Sequence, residues 1–439
     1  MLDLISKNIV YRETAIVFSI KLVGIALNFL FFYFLAKQYG EEEFGLFSLS
    51  LTVLNIASTV SLVGIDTAVL KFLSSEDGSD NGVVRSLILK CTTTVCILAV
   101  CVCAVLLSLS EFFSVGVFKN GKFEKYFITA SFCIIPFSMF RLACRILRGR
   151  GFIVAYALFQ HVSIFMLAIL AALVAWRSNF TGYIAGWSYY ISILTTTVLI
   201  IAYIIFKFYQ KLYLAPSTSL SKIITTSLPM LLTSASALFL SWCDIVVLGI
   251  YRPESEVGIY SISAKFSFFS TLGLMVVSAI TAPKFSRYYS SNNRLEIEKI
   301  IRSSGLALLL LTVPILVALV VFSPTLLSFL GGQYTLAYTP LLILLVGHAY
   351  HALCGPCGSF LNMTGNQNSL ALVIFFTAVI NVFLNVLLVQ PYGMVGVAVA
   401  TTVSWMLSNS IVTLLIYRNT DFLFPMASLV SFGYKALFR

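Results

Sequence analysis

The chain is built of long apolar blocks separated by short polar turns, with neither the one-face stripe of a soluble helix nor the alternation of a strand. A helix needs about 20 apolar residues to cross a bilayer. By that measure there are twelve blocks: roughly 13–36, 44–70, 83–108, 125–147, 152–176 and 180–206, then 221–250, 257–283, 301–322, 335–361, 368–390 and 393–417. Backbone groups in hydrocarbon must be satisfied within their own segment, so the blocks are expected to be helices. The short alternating runs of a barrel do not occur. The predicted fold is all-α, a polytopic membrane protein of about twelve transmembrane helices.

One polar turn and the span after it are repeated. YGEEEFGLFSLS, from Tyr39 to Ser50, leads into an apolar span that closes LKF at Phe72; YRPESEVGIYSIS, from Tyr251 to Ser263, leads into one that closes PKF at Phe285. At a constant offset of 213, Gly45 falls on Gly258, Ser48 on Ser261, Ser50 on Ser263, Val63 on Val276, Lys71 on Lys284 and Phe72 on Phe285. A membrane unit repeated at half the chain length predicts two pseudo-symmetric six-helix lobes with a substrate path between them. Their expected bounds are 1–206 and 221–417. A cytoplasmic linker over 207–220 carries Pro216 and a Ser/Thr run. The 418–439 tail is too short to cross and is expected to lie along the inner interface.

Charge then gives orientation. With the N-terminus inside, 19 of the 28 Lys and Arg fall in cytoplasmic connections and termini, six fall in outer connections, and Lys21, Arg141 and Lys265 fall within spans. The positive-inside rule puts both termini in the cytoplasm. The net charge of +11 is thereby mostly topology, and no nucleic-acid partner is expected. Only 10% of residues are charged and 59% are hydrophobic, against about 25% charged in a soluble domain. The run from Thr14 to Ala36 is too long for a signal-peptide core and lacks an Ala-x-Ala exit, so it is expected to be the first span.

The candidate chemistry is cationic. Arg141, Arg145 and Arg148, at i, i+4 and i+7 of the fourth span, place three guanidinium groups on one helix face. Guanidinium suits phosphate because it offers a planar fork of donors. Arg145 and Arg148 could also be ordinary cytoplasmic anchors that snorkel. Lys21 and Lys265, each deep in a span, would extend the set to staggered depths, as an anionic head group crossing a dry barrier requires. Two acids also lie within spans, Asp66 and Asp244, and either could bind a coupling ion or pair with a cation: Lys71 lies near Asp66, and Lys265 or another cation could pair with Asp244. Asn381 and Asn385 read as interhelical glue. His161, His348 and His351 have no carboxylate or thiol at metal spacing, so no metal is expected.

Other chemistry is excluded by pattern. Phosphate-loop, nucleophile-elbow and metalloprotease motifs do not occur, so neither an enzyme nor a cofactor is expected. The nine cysteines all lie in apolar runs, against a secreted disulfide framework. Cys354-Gly355-Pro356-Cys357 has the spacing of a redox dithiol, but inside a span Gly355 and Pro356 are expected to kink or break a helix instead.

YGEEEFGLFSLS, the DIVVLGIY of Asp244 to Tyr251 with the EVGIYSIS after it, and LNMTGNQN from Leu361 to Asn368 resemble the polysaccharide-transporter branch of the multidrug/oligosaccharidyl-lipid/polysaccharide exporter superfamily, especially its O-antigen flippases. The resemblance spans about 10–417. It implies movement of undecaprenyl-diphosphate-linked oligosaccharide to the outer leaflet of the bacterial inner membrane; alternating access between the lobes is expected, with a proton or sodium gradient as the drive because the sequence carries no nucleotide-site motif. It also implies a polysaccharide polymerase and a chain-length regulator as partners, with the flippase itself expected to be a monomer. Two other readings remain open: a drug/cation antiporter of the same superfamily, and an O-antigen polymerase or ligase, which would want a large outer loop.

Overall fold

A computed structural model describes residues 2–75, 81–178, 184–208, 219–420 and 422. The 209–218 stretch of the expected linker and residues 423–439 of the expected tail lie outside the described residues. Among the described residues there is no strand. The helices are α1 (Leu2–Leu62), α2 (Ile65–Ser75), α3 (Asn81–Ser108), α4 (Phe123–Gly149), α5 (Ile153–Arg177), α6 (Ile184–Phe208), α7 (Leu220–Tyr251), α8 (Glu254–Ser290), α9 (Arg294–Ser328), α10 (Tyr338–Cys354), α11 (Cys357–Met363) and α12 (Gln367–Thr420).

Among the described residues nine stretches are long and apolar enough to cross a membrane, and two of them are folded pairs. In α1, Gly40 sits at φ 79°, ψ 177°. Phe31 and Phe47, which a straight helix would separate by about 24 Å, have ring centroids 6.4 Å apart. The chain therefore turns back on itself at Gly40. In α12, Gly393 at φ 55°, ψ −137° does the same: Asn381 donates to Thr401, 20 residues on, at 3.3 Å. With both pairs divided and α7 added, the twelve spans expected from hydropathy are present.

The second expected span, 44–70, is not one helix. It stops at Leu62 and restarts at Ile65, because Val63 (φ 46°) and Gly64 (φ 74°) are left-handed. Gly64 also allows a close crossing: a Cβ there would stand 2.3 Å from the Ser227 carbonyl oxygen on α7. The tenth span is likewise broken, between α10 and α11, where Gly355 has φ 77° and Pro356 precedes the new helix. Cys354 and Cys357 are buried free thiols, and the Cys357 thiol donates to the Cys354 carbonyl at 2.8 Å.

The chain divides into two compact units, 1–235 and 236–439, with the division inside α7. Within the first, Leu62, Ile65, Val69 and Leu73 meet Val84, Leu87, Cys91 and Val95 of α3, Leu142 and Ile146 of α4, and Ile223 of α7. Spacings of three and four residues put each set on one helix face. Within the second, Ile297, Ile300 and Ile301 of α9 pack with Cys354, Cys357 and Phe360 and with Val412 and Ile416 of α12. Lipid tails are as apolar as leucine, so shape fit and interhelical hydrogen bonds hold such bundles together.

One such bond set closes an end of the second unit. Arg252, just past α7, donates from Nε to the Val389 carbonyl at 3.2 Å and from Nη2 to the Gln390 carbonyl at 2.9 Å. These carbonyls belong to the last turn before Gly393, where a helix end lacks intrahelical partners. Arg252→Ala is expected to cost about 1–2 kcal/mol, read as a lower melting temperature in detergent. Arg252→Lys, which has no planar fork, should restore less than half of that loss.

Candidate substrate and coupling sites

In the first unit, α4 presents Arg141, Arg145 and Arg148 in the register the sequence predicts, but each meets a different environment. Arg141 is part-buried and donates from Nη1 to the Ser58 and Thr59 hydroxyls at 3.1 and 2.7 Å. Both acceptors are uncharged, so these bonds orient the guanidinium without cancelling its charge. Arg145 is different: its Nε lies 3.4 Å from Asp66 Oδ2, which is buried in the first turn of α2. Asp66 therefore pairs with Arg145 and not with its sequence neighbour Lys71. The exposed Arg148 holds its guanidinium carbon 5.5 Å from the Tyr156 ring centroid.

Lys21 is part-buried on α1 and has no ion-pair partner among the described residues. Lys265 is part-buried in α8, just before a 3-10 turn at Phe269–Thr271. Lys265 belongs to the second unit, and Lys21 and the α4 arginines to the first.

The second unit centres its polar groups on Asp244 of α7. Its carboxylate accepts from the Tyr260 hydroxyl at 2.6 Å, the Thr401 hydroxyl at 2.7 Å and Asn385 Nδ2 at 3.0 Å. All three donors are uncharged, and Lys265 is not among them. Asn381 completes the cluster: its Oδ1 accepts from Asn385 Nδ2 at 3.1 Å and from Cys243 at 3.2 Å. Asn385 Oδ1 is buried without a hydrogen-bond partner. The cluster thus offers a carboxylate, two amides and two hydroxyls, an oxygen-rich set of the kind hard cations take.

Sequence reading picks out Asp244 but treats Asn381 and Asn385 as glue and passes over Tyr260 and Thr401. The usable signal is the i, i+4 spacing of the two asparagines, which puts both amides on one face of an otherwise apolar helix. Ser58 and Thr59, the partners of Arg141, carry no comparable signal.

The sequence profile of a family described as Polysaccharide biosynthesis protein matches residues 10–289, and that of the MatE family matches 229–387. Among characterised proteins, the chain is 25% identical over 403 residues to the probable low-salt glycan biosynthesis flippase Agl15 of Haloferax volcanii, covering 90% of this chain and 80% of that one. It is 25% identical over 198 residues to the probable flippase AglR of the same organism, covering 44% and 41%. Among solved structures, it superposes on the lipid II flippase MurJ in an inward closed conformation with a TM-score of 0.75 at 13% identity, covering 91% of this chain and 87% of that one. On an inward-facing multidrug resistance MATE family transporter of the MOP superfamily the TM-score is 0.74 at 16% identity, covering 91% and 96%.

Proposed function

We propose, for a chain that belongs to the polysaccharide biosynthesis protein family, that it is a flippase carrying a lipid-linked oligosaccharide across the cytoplasmic membrane. The polyprenyl tail stays in lipid while the phosphorylated sugar head group crosses by alternating access. The similarity to Agl15, a probable low-salt glycan biosynthesis flippase, supports the substrate class. The finer reading is an O-antigen-type repeat unit on undecaprenyl diphosphate in a bacterial inner membrane, with both termini cytoplasmic. The supporting sequence features are the positive-inside distribution and the superfamily resemblance.

The observation that carries the proposal is the α4 face. Arg141 sits deep in the span with its Nη1 on two hydroxyls and, among the described residues, no carboxylate in ion-pair contact, which places it to meet an anionic head group. Arg141→Ala is expected to lower translocation of a labelled lipid-linked repeat unit about tenfold or more, in a strain lacking its own flippase and at equal protein level. Unchanged translocation would remove the arginine from the mechanism.

The Asp244 cluster, of which Asp244, Tyr260, Asn381 and Asn385 lie inside the MatE match over 229–387, favours an ion-driven cycle. In this reading Asp244 exchanges sodium or a proton, using the Asn381, Asn385 and Thr401 oxygens. For Asp66, the other in-span acid, an ion would first have to displace Arg145, so Asp244 is the coupling residue. A drug/cation antiporter would share the ion site but calls for an anionic substrate surface, which the α4 face is not. Drug resistance on overexpression without any effect on surface glycan would reverse the order.

A further inference from the structure

The first unit holds a second polar cluster, centred on a defect in α5. Residues Leu158–Ser163 of that helix form a π-turn. Such turns add a residue to the helix, redirect the face that follows and cluster at functional sites. The defect carries His161, and α1 closes on it at Gly24. A Cβ at Gly24 would stand 2.5 Å from the His161 carbonyl oxygen and 2.7 Å from the His161 Cβ, so only glycine permits this approach.

Lys21 lies one turn from Gly24 on the same face of α1, the face that closes on His161. The groups around His161 continue the theme. Tyr156 packs edge-on to it with ring centroids 6.4 Å apart and carries Arg148 on its own ring. Tyr203 of α6 packs 5.9 Å from Phe159 in the same π-turn. No carboxylate forms an ion pair with Lys21 among the described residues. A lysine in an apolar span without a counter-charge is costly unless it serves a ligand.

We propose that Lys21 and His161 form one phosphate-receiving pair, brought together by Gly24 and the π-turn, that holds the diphosphate of the lipid-linked sugar. The proposal rests on the flippase reading for the identity of the ligand. The ammonium supplies charge and the imidazole a directed N–H donor. Arg148, at the exposed end of α4 beyond Tyr156, is the first cation the head group meets.

The test is binding of farnesyl diphosphate to the purified full-length protein, with inorganic pyrophosphate and phosphatidylglycerol as competitors. Lys21→Gln and His161→Phe are each expected to weaken binding about tenfold. His161→Phe keeps the ring that packs beside Tyr156, so a purely structural histidine would leave binding unchanged. Gly24→Ala, which parts the pair without altering either member, should weaken binding to a similar degree. Pyrophosphate should compete and phosphatidylglycerol should not. Failure of the wild-type protein to bind, indifference to both Lys21 and His161, or equal competition by phosphatidylglycerol would overturn the pair. Diphosphate binding that depends on both residues, in a protein that does not translocate lipid-linked sugar, would instead overturn the flippase reading and leave the pair standing.

Discussion

Asp244→Asn is expected to abolish the response of translocation to an imposed sodium or proton gradient and to slow gradient-driven transport about 100-fold, near the upper end of what a coupling free energy between two sites supplies. The substitution keeps size and shape, so Tyr260, Thr401 and Asn385 still have a neighbour of the right dimensions. What is lost is the negative charge that makes the pocket of oxygens attractive to a cation. The measurement is uptake of labelled lipid into proteoliposomes with and without each gradient. An Asp244→Asn protein that still responds to either gradient would show that the carboxylate is structural. Tyr260→Phe offers an internal comparison. It removes one of three donors while leaving the charge, and it should shift the ion concentration for half-maximal rate without removing the response.

Gly64→Ala is expected to cost about 3 kcal/mol of stability, from a strained backbone conformation combined with a backbone clash. The residue has φ 74°, which a side chain disfavours, and the added carbon would lie 2.3 Å from the Ser227 carbonyl oxygen and 2.8 Å from the Leu231 amide nitrogen. Neither backbone atom can step aside without moving α7. Gly358→Ala is the control: it lies in helix α11 with nothing nearer than 4.0 Å to the new carbon, so it should leave the melting temperature in detergent unchanged or raise it. Equal melting temperatures for the two variants would remove the close approach of the Val63–Gly64 turn to α7 as a stabilising contact.

Spans were legible in the sequence because they depend on the length of local apolar runs, and charge faces because they depend on helical spacing. Among the described residues the twelve apolar blocks are helical, the second and tenth with a break, and the i, i+4, i+7 spacing of the arginines placed them on one side of α4. The break at Gly355 and Pro356 was also legible, since both residues act on their own backbone. Interactions between distant segments were not. Val63-Gly64 lies in an unbroken apolar run, and only the approach of Ser227 gives the glycine its purpose. Asp66 has Lys71 five residues away, yet its partner is Arg145, because the α2–α4 packing rather than sequence proximity brings a cation to it. The Asp244 cluster draws Tyr260 from α8 and Asn385 and Thr401 from the two arms of α12. No local pattern announces that assembly. The π-turn at Leu158–Ser163 is invisible for a related reason, as hydropathy is the same whether a helix advances by four residues or five.

The Arg252 contact with the Val389 and Gln390 carbonyls bears on how Asp244 could be uncovered. Arg252 follows Asp244 by eight residues, about 12 Å along a helix, and Val389 follows Asn385 by one turn. Thr401 sits at a similar height on the returning arm beyond Gly393. The segments that supply these oxygens are thus riveted together at one extremity. Such an arrangement behaves like tongs: its free ends can spread by tilting about the rivet, while sliding one arm lengthwise past another would first have to shear the guanidinium from both carbonyls.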